Sequence, residues 1–417
     1  MKTINLYEYQ KIPPDRYDDI KSQLNDLNAF LIRSGYEKAL TFGYDYVKAD
    51  HFVGSIRYND IQINIFPKYL AQEEYKSVKQ LISMLAYTKK LEIVTPQANS
   101  QKYKGNYFLE VLISYYATNL FEGLIKHSPH RYQQKEENLN TIRGRIDFNR
   151  HIRYNFADKS RIFCRYEEFT TDNLLNRTLY FVSHLLYQQT ENENSRDIFN
   201  KIFALYDDVC LMPVTFEQTK KIHLSKQQQK FFEIPFKLAQ LFLEHSTISL
   251  YNTSFNNLAI LFDMNKLFEE FVYEKLKKEC SKNNRFHVQS QINRCLISGF
   301  ESTINDVNMN LAIDTKKYTR TDIIIKEEDK IKYVIDTKYK DASKISSSDI
   351  YQMLAYARIH KTDNLILIYP KVMENYDCKA IFCNINESPN LRIITLDLTK
   401  HIENVRIIDA IKRDFIR

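Results

Sequence analysis

The chain has 417 residues, which is too long for one ordinary hydrophobic core and predicts two or three domains. Hydrophobic residues make up 44% and charged residues 27% of the sequence, a balance that excludes a compositionally disordered chain and predicts a globular protein. Lys and Arg number 59 against 52 Asp and Glu, and the net charge of +7 is compatible with a polyanionic partner but does not identify one.

Three further features exclude other classes of protein. The amino-terminal segment MKTINLYEYQKIPPDR lacks the apolar core of a signal peptide, and no apolar run is long enough for a membrane helix, so we expect a cytoplasmic protein with no membrane partner. Six scattered cysteines form no CxxC pair, which argues against a zinc ribbon or an iron–sulfur cluster. The seven glycines are too far apart to form a GxxxxGK or GxGxxG phosphate loop, so we expect this chain to bind no nucleotide.

The first 70 residues are predicted to form a β-rich module with one helix near 17–34. Their clearest strand is Ile61-Gln62-Ile63-Asn64-Ile65, in which apolar and polar residues alternate before Pro67. Two helical patterns follow, at about 74–88 and 107–126, where apolar residues recur at helical spacing.

Residues 143–166 form a basic stretch that contains seven Lys or Arg and two Asp, interleaved with five aromatic residues. Such a stretch could bind phosphates and stack on bases, or it could bind an acidic groove of another protein. The same pattern is also typical of an amphipathic hairpin without a binding role, and the sequence leaves these alternatives open.

The rest of the chain divides into two regions. Helical patterns near 172–189, 196–210 and 226–245 indicate a helical connector. After about residue 256 the sequence predicts a long helix, a strand hairpin, a short helix, two apolar strands and a final helix, which is the succession of a self-contained α/β domain. We therefore predict a mixed α/β fold with a β-rich region over 1–170, a helical connector over 171–255 and an α/β domain over 256–417.

The predicted hairpin of this last domain carries two aspartates. Two runs rich in β-branched residues, 321–325 and 331–338, are separated by a polar turn. A loop over 328–330 would pair residues 327 and 331, and that register places Asp322 directly opposite Asp336. Two carboxylates at this distance repel each other unless a cation lies between them, and hard oxygen ligands suit Mg²⁺.

Lys338 follows Asp336 by two residues and is predicted to lie on the same face of the strand. A lysine beside a bound metal ion can orient the attacking water and balance charge at a phosphorus atom. An Asp and a Lys two residues apart are also a common solvated pair without function. The apolar runs around them and the matching Asp322 favour the catalytic interpretation.

Two helices add polar candidates near this hairpin. A helix that begins at Ser346 with a serine cap places Gln352 and Tyr356 on one face, where they could line a cleft. An earlier helix carries Glu269 at the border of its apolar stripe, where the carboxylate could join the metal ligands or mark a solvent edge.

This set of residues resembles the PD-(D/E)xK nuclease superfamily and, more closely, McrC, the nuclease subunit of McrBC restriction systems. The motifs that carry the resemblance are LFDMNKLFEEFV at 261–272, RTDIII at 320–325, VIDTKYK at 334–340 and DIYQMLAYA at 349–357. Weaker similarities upstream are VGSI at 53–56, INIFPK at 63–68, TIRGRIDF at 141–148 and CRYEEFTTDNLLNR at 164–177. One departure is Thr321, which stands where the family usually has a proline before the first aspartate.

The resemblance implies a fold and a set of residue roles. Residues 256–417 would form a restriction-endonuclease-like domain with a mixed sheet flanked by helices. Its metal ligands would be Asp322, Asp336 and the backbone carbonyl of Thr337, with Glu269 assisting from its helix. Lys338 would act on the water, and Gln352 with Tyr356 would complete the cleft.

The resemblance also implies partners. These would be double-stranded DNA with modified cytosine and a McrB-like AAA+ GTPase hexamer, which would use GTP and be stimulated by this chain. Residues 1 to about 170 would dock on that partner, with Arg143 and Arg145 as candidate contacts. The alternatives are a stand-alone RecB-like repair nuclease, which shares the QxxxY motif, and an adaptor of a ring NTPase that has lost catalysis.

Overall fold

The structure is a computed structural model, and it describes most of the chain. The described residues are 2–70, 73–88, 108–127, 129–248, 255–281, 285–297, 302–304, 307–309, 317–372, 378–379 and 389–399, together with 405, 407 and 411. The final helix predicted from the sequence falls mainly outside these residues.

Helices and strands alternate along the chain in a mixed α/β architecture. The α-helices are α1 (Pro14–Ile20), α2 (Leu24–Arg33), α3 (Glu74–Tyr87), α4 (Phe108–Lys126), α5 (Phe148–Asn155), α6 (Leu174–Gln189), α7 (Glu193–Leu205), α8 (Phe216–Thr219), α9 (Lys226–Glu244), α10 (Met264–Cys280) and α11 (Ser347–His360). Short 3₁₀ helices span Lys21–Gln23 and Ala342–Lys344. The helices predicted near 74–88 and 107–126 are confirmed, while the one expected near 17–34 is divided at Ile20 by the first 3₁₀ turn.

The amino-terminal region is built on a five-stranded sheet. Its strands, in spatial order, are β1 (Lys2–Tyr7), β5 (Ile61–Phe66), β4 (Phe52–Tyr58), β10 (Phe255–Asp263) and β9 (Ser246–Ile248), and a separate hairpin joins β2 (Leu40–Phe42) to β3 (Val47–Ala49). Strand β1 is parallel to β5, and the other pairs are antiparallel. The chain thus returns to this sheet through β10 immediately before it enters α10.

A three-stranded unit follows α4, and it corrects part of the hairpin interpretation of residues 143–166. Its strands are β6 (Arg131–Leu139), β8 (Ile162–Thr170) and β7 (Arg145–Ile146), in that spatial order. Helix α5 stands between β7 and β8, capped by the Asp147 side chain, which accepts a hydrogen bond from the backbone N–H of Arg150 at 3.1 Å. The segment is therefore a strand, a helix and a second strand.

A helical layer joins this unit to the last region. Helix α4 packs against α7 and α9, and α6 packs against both of these helices. Aromatic residues fill the layer, and Tyr116 donates a hydrogen bond to the carbonyl of Leu179 at 2.7 Å. Within the described residues, no helix combines the length and apolar character needed to cross a membrane.

The last region contains a six-stranded mixed sheet. Its strands, in spatial order, are β11 (Phe286–Ile297), β14 (Lys317–Glu327), β15 (Lys330–Thr337), β16 (Asn364–Pro370), β18 (Asn390–Leu396) and β17 (Cys378–Lys379), and β12 (Ser302–Ile304) pairs with β13 (Val307–Met309) apart from it. One face of this sheet contributes to the core that contains α10, and the other face packs against α11. The central strands are parallel, with α11 as the crossover between β15 and β16.

The turn of the β14–β15 hairpin differs from the prediction, whereas its register near the aspartates agrees. Glu327 pairs with Lys330 across a two-residue turn at Glu328 and Asp329, so the predicted pairing of residue 327 with 331 is wrong. A bulge between Ile325 and Lys326 absorbs the extra residue. Beyond the bulge the register is the predicted one, because the bulge compensates for a turn that is one residue shorter than predicted.

Candidate active site

The two aspartates lie where the β14–β15 hairpin stops pairing. The last regular pair is Ile323 with Ile335, and Asp322 and Asp336 occupy the next position of the same register. Asp322 Oδ2 accepts hydrogen bonds from the backbone N–H of Thr337 at 2.9 Å and from its hydroxyl at 3.2 Å. The strands therefore separate at the aspartates, and a side-chain contact replaces the backbone ladder.

Asp336 is a fully buried carboxylate, with 0% of its surface exposed. Lys338 Nζ is 2.7 Å from its Oδ2, and among the described residues Oδ1 has no hydrogen-bond partner. Burial, followed by the charge of Asp322, raises the pKa of Asp336 to about 7, although Lys338 opposes the shift. This carboxylate is poised to gain from a second cation.

Lys338 is held between strand β15 and helix α11. Besides its ion pair with Asp336, its ammonium group donates a hydrogen bond to Gln352 Oε1 at 3.0 Å. Burial pulls the pKa of Lys338 down, but the neighbouring carboxylates, Asp336 first, outweigh it and hold the pKa above its usual value. The lysine is therefore charged and fixed in position.

Gln352 and Tyr356 form a chain that ends on strand β14. Gln352 Nε2 donates to the Tyr356 hydroxyl at 2.7 Å, and that hydroxyl donates to the backbone carbonyl of Arg320 at 2.6 Å. Tyr356 is only 2% exposed. Gln352 thus reaches the lysine directly, whereas Tyr356 anchors α11 to the strand that carries Asp322.

Glu269 lies on α10 and approaches the site from the other side. Burial and then the charge of Asp322 raise the pKa of Glu269. Gln291 Nε2 donates a hydrogen bond to Glu269 Oε1 at 3.2 Å. Of the six side chains singled out in the sequence for catalysis, direct contacts join Asp336, Lys338, Gln352 and Tyr356. Asp322 lies opposite Asp336 in the register of the hairpin. Glu269 contacts Gln291 of β11.

Two contacts at the site were not predicted. Gln291 had no sequence signal, because a glutamine in a polar strand fits no motif. The Thr321 hydroxyl is 2.8 Å from His360 Nε2, and both side chains are buried. The spacing of Gln352, Tyr356 and His360, four residues apart on one helix, could have indicated the second contact, since such residues share a face.

The residues present fit a hard divalent cation. Among the described residues, no group of three or more His, Cys, Asp or Glu could by itself hold a metal ion. Mg²⁺ needs no such cluster, because it commonly takes one or two carboxylates and completes its shell with waters and substrate phosphate. Asp322 and Asp336 supply that donor set, and the unpartnered Oδ1 of Asp336 leaves acceptor capacity for it.

Arg143 and Arg145 lie away from this site, on the three-stranded unit. The Arg143 guanidinium stacks 4.2 Å from the centre of the Tyr166 ring and is 3.3 Å from Glu168. Arg145 is exposed and lines an open pocket of about 840 Å³, with Asp147 also in its wall. The two arginines therefore belong to a separate surface.

Comparisons with known proteins agree with this arrangement. Residues 47–370 match the family described as McrBC 5-methylcytosine restriction system component. The type IV methyl-directed restriction enzyme EcoKMcrBC of Escherichia coli (strain K12) is 23% identical over 321 residues, which cover 71% of this chain and 86% of that protein.

Two solved structures share the fold. One is a chain in the refined half-complex from the tetradecameric assembly of Thermococcus gammatolerans McrB AAA+ hexamers with bound McrC, with a TM-score of 0.72, 18% identity and 95% coverage of both chains. The other is a chain in the cryo-EM structure of the Thermococcus gammatolerans McrBC complex, with a TM-score of 0.53 and 20% identity over 66% of this chain and 87% of that one.

The family match covers more than half of the chain, including the hairpin and α11. The resemblance to McrC that the motifs predicted is confirmed at the level of the family. The chain belongs to the McrBC 5-methylcytosine restriction system component family.

Proposed function

We propose that this chain is the Mg²⁺-dependent endonuclease subunit of a McrBC-type complex that cuts DNA containing modified cytosine. One observation carries the proposal: a fully buried Asp336 faces Asp322 where the hairpin opens, with a charged Lys338 fixed beside it. Burial of the Asp336 carboxylate beside the half-buried Asp322 is costly unless cations offset it, and a divalent cation together with Lys338 does so. The PD-(D/E)xK domain would then lie within residues 256–417.

The residues divide the work as follows in this proposal. Asp322, Asp336 and the backbone carbonyl of Thr337 hold the Mg²⁺, with Glu269 as a further acid beside Asp322. When bound, the ion supplies positive charge to the scissile phosphate. Lys338, held by Gln352, orients the attacking water and balances negative charge on the phosphate oxygens. Tyr356 keeps α11 in register with β14.

A separate motor supplies nucleotide hydrolysis in this proposal. The Thermococcus gammatolerans assembly contains McrB AAA+ hexamers with bound McrC, and the fold of one of its chains matches 95% of this chain. The seven glycines of the sequence form no phosphate loop. We propose that this chain docks on a McrB-like AAA+ GTPase hexamer and stimulates it.

The region proposed to dock is the amino-terminal one, 1–170. Its three-stranded unit exposes Phe148, Ile152 and Phe156, which lie four residues apart along α5 and its end. Arg143 and Arg145 lie on the same unit. Exposed apolar residues beside arginines are typical of the anchors of protein interfaces.

Reconstitution tests the function. The purified chain is mixed with its AAA+ partner, GTP, Mg²⁺ and plasmid that carries methylated cytosine, and cleavage is followed by gel. We expect cuts only when all components are present, and chelation by EDTA should abolish them. Cleavage by the chain alone without nucleotide would instead indicate a stand-alone repair nuclease. GTPase stimulation without cleavage of any DNA would indicate an inactive adaptor.

A further inference from the structure

Side-chain alternation reverses on β11 beside the site. Phe286 and Val288 pack against the core that contains α10, whereas Ile292 packs against the core that contains α11. Residues an even number apart on a regular strand share a face. The two faces of β11 therefore exchange between Val288 and Ile292.

Strand β14 shows the same exchange at the matching position. Ile323 and Ile325 lie in the core that contains α10, but the Thr321 hydroxyl contacts His360 of α11 at 2.8 Å. The exchange on β14 thus falls at Asp322. Both strands therefore change face at neighbouring positions. On β14 that position is Asp322, which is a proposed metal ligand.

Gln291 is the residue of β11 that lies opposite Asp322. The regular pairs that flank this point are Ser290 with Ile323 and Ile292 with Thr321. Gln291 has a φ of 53°, in the left-handed region that a residue other than glycine, asparagine or aspartate adopts at a cost. Backbone strain of this kind persists where the surrounding structure enforces it, and it concentrates at functional sites.

The side chain of Gln291 makes a second connection to the site. Its carboxamide donates a hydrogen bond to Glu269 Oε1 at 3.2 Å, and Gln291 itself is exposed. Gln291 therefore touches one acid through its side chain and lies opposite another through its backbone.

We propose that Gln291 is a positioning residue of this site. Its left-handed backbone fixes the point at which β11 and β14 change face around Asp322, and its carboxamide fixes the carboxylate of Glu269. Both acids are then in place before a cation and a DNA phosphate arrive. This inference rests on the function proposed above, and it adds a residue that belongs to none of the motifs.

Two substitutions remove the side-chain contact of Gln291 while they leave its left-handed backbone in place. Gln291→Gly keeps the left-handed backbone without strain and removes the carboxamide, so we expect a melting temperature equal to or above that of the unmodified chain. Gln291→Asn also tolerates the left-handed region, but its side chain is one methylene too short to reach Glu269 in the same way. Gln289→Asn is the matched control, because Gln289 is exposed on the same strand in regular pairing.

The readouts are Mn²⁺ binding to the isolated chain, followed by calorimetry, and cleavage of methylated DNA by the reconstituted complex. For both Gln291 variants we expect a loss of about ten- to a hundredfold in Mn²⁺ affinity or in cleavage rate, as for other residues that orient metal ligands. The control should match the unmodified chain. In a Glu269→Gln background, the further loss caused by Gln291→Asn should be small, because the contact is already changed.

The outcomes distinguish this inference from the function on which it rests. If the unmodified chain cuts DNA and both Gln291 variants keep its Mn²⁺ affinity and rate, Gln291 is only a bend in the strand and the inference is overturned. If the unmodified complex does not cut but the variants bind Mn²⁺ more weakly, the positioning role stands and the nuclease proposal fails. An unmodified chain that binds no Mn²⁺ overturns both.

Discussion

Asp336 and Glu8 are both buried carboxylates, and their surroundings differ. Asp336 has the ammonium group of Lys338 at 2.7 Å. Glu8, at 2% exposure, accepts a hydrogen bond from the backbone N–H of Lys68 at 2.9 Å. Burial raises the pKa of Glu8 to about 8, and its contacts with Lys68 and Tyr339 only partly offset the shift. Neutralising Glu8 is therefore expected to change folding stability, whereas neutralising Asp336 is expected to change catalysis.

Glu8→Gln is predicted to stabilise the chain increasingly as pH rises. In the unfolded chain this carboxyl has a pKa near 4.5 and in the folded chain one of about 8, so the folded state holds the proton between these values. Stability that depends on the protonated form is complete below pH 4.5 and is lost as pH rises to 8. Glu8→Gln does not lose this stability. Its free energy of unfolding should therefore exceed that of the unmodified chain by on the order of a few kcal/mol at pH 8.

Urea unfolding between pH 5 and 8 measures this difference. Glu37→Gln is the control, because Glu37 is exposed. Stability profiles of Glu8→Gln and the unmodified chain that stay parallel over this range would contradict the assignment.

At the residue scale, the sequence singled out six candidates because each belongs to a spaced pattern on a recognisable strand or helix. They are Asp322, Asp336, Glu269, Lys338, Gln352 and Tyr356. It did not predict Gln291 or Glu8. The role of Gln291 depends on its φ of 53° and on a contact with Glu269, 22 positions away. Neither property can be inferred from the residue type, since glutamine has no preference for the left-handed region.

At the element scale, β14 and α11 are joined by hydrogen bonds from two residues that lie one turn apart on the same face of α11. Tyr356 bonds the carbonyl of Arg320, and His360 bonds the hydroxyl of Thr321. The resemblance drawn from the motifs implied a proline at the position of Thr321, and a proline would restrict the backbone directly. Here the backbone is held through a side-chain hydrogen bond instead.

Thr321→Val is predicted to destabilise the chain by about 1–3 kcal/mol, because it keeps the shape of the side chain and leaves a buried His360 nitrogen without its partner. Urea unfolding measures the loss. In a double-mutant cycle with His360→Phe, the two losses should not add, since they remove the same contact. Additive losses, or no loss for Thr321→Val, would show that the hydrogen bond does not tie the two elements together.

The hairpin shows which properties of an element can be predicted. The register at Asp322 and Asp336 was predicted from an assumed loop over 328–330, and it agrees with the structure because the bulge compensates for the shorter turn. The turn itself was not predicted, because the bulge between Ile325 and Lys326 shifts the pairing by one residue without moving any buried side chain to the wrong face. A similar limit applied to residues 143–166, where the short helix α5 lies between two strands.

At the scale of the whole molecule, the proposed nuclease site and the proposed docking surface lie on different units. The site is built from α10, the six-stranded sheet and α11, whereas Arg143 and Arg145 lie on the three-stranded unit. Strand β10 links the regions, since it pairs with β4 and leads into α10. Local sequence patterns did not predict this pairing, because its partners are about 200 residues apart. The predicted division at 170 and 255 stays a prediction.

If the docking surface and the nuclease site are separate, substitutions on the docking surface should weaken partner binding without changing metal binding. Arg143→Glu combined with Arg145→Glu should weaken association with the AAA+ partner by about tenfold or more, because it places negative charge on a surface proposed to use positive charge. Mn²⁺ binding by the isolated chain should not change. The control is Lys220→Glu combined with Lys221→Glu, the same charge change on exposed residues of the helical layer. Equal binding by the two double variants would place the docking surface elsewhere.

The central claim is that this chain cuts DNA at a site that depends on the buried carboxylate of Asp336. Asp336→Asn tests this claim most directly. Asparagine keeps the shape of the side chain but loses the negative charge, so we expect cleavage of methylated DNA by the reconstituted complex to fall by a factor of about a thousand or more. Asp329→Asn, in the exposed turn of the same hairpin, should cut at the normal rate. Normal cleavage by a folded, partner-bound Asp336→Asn complex would contradict the account.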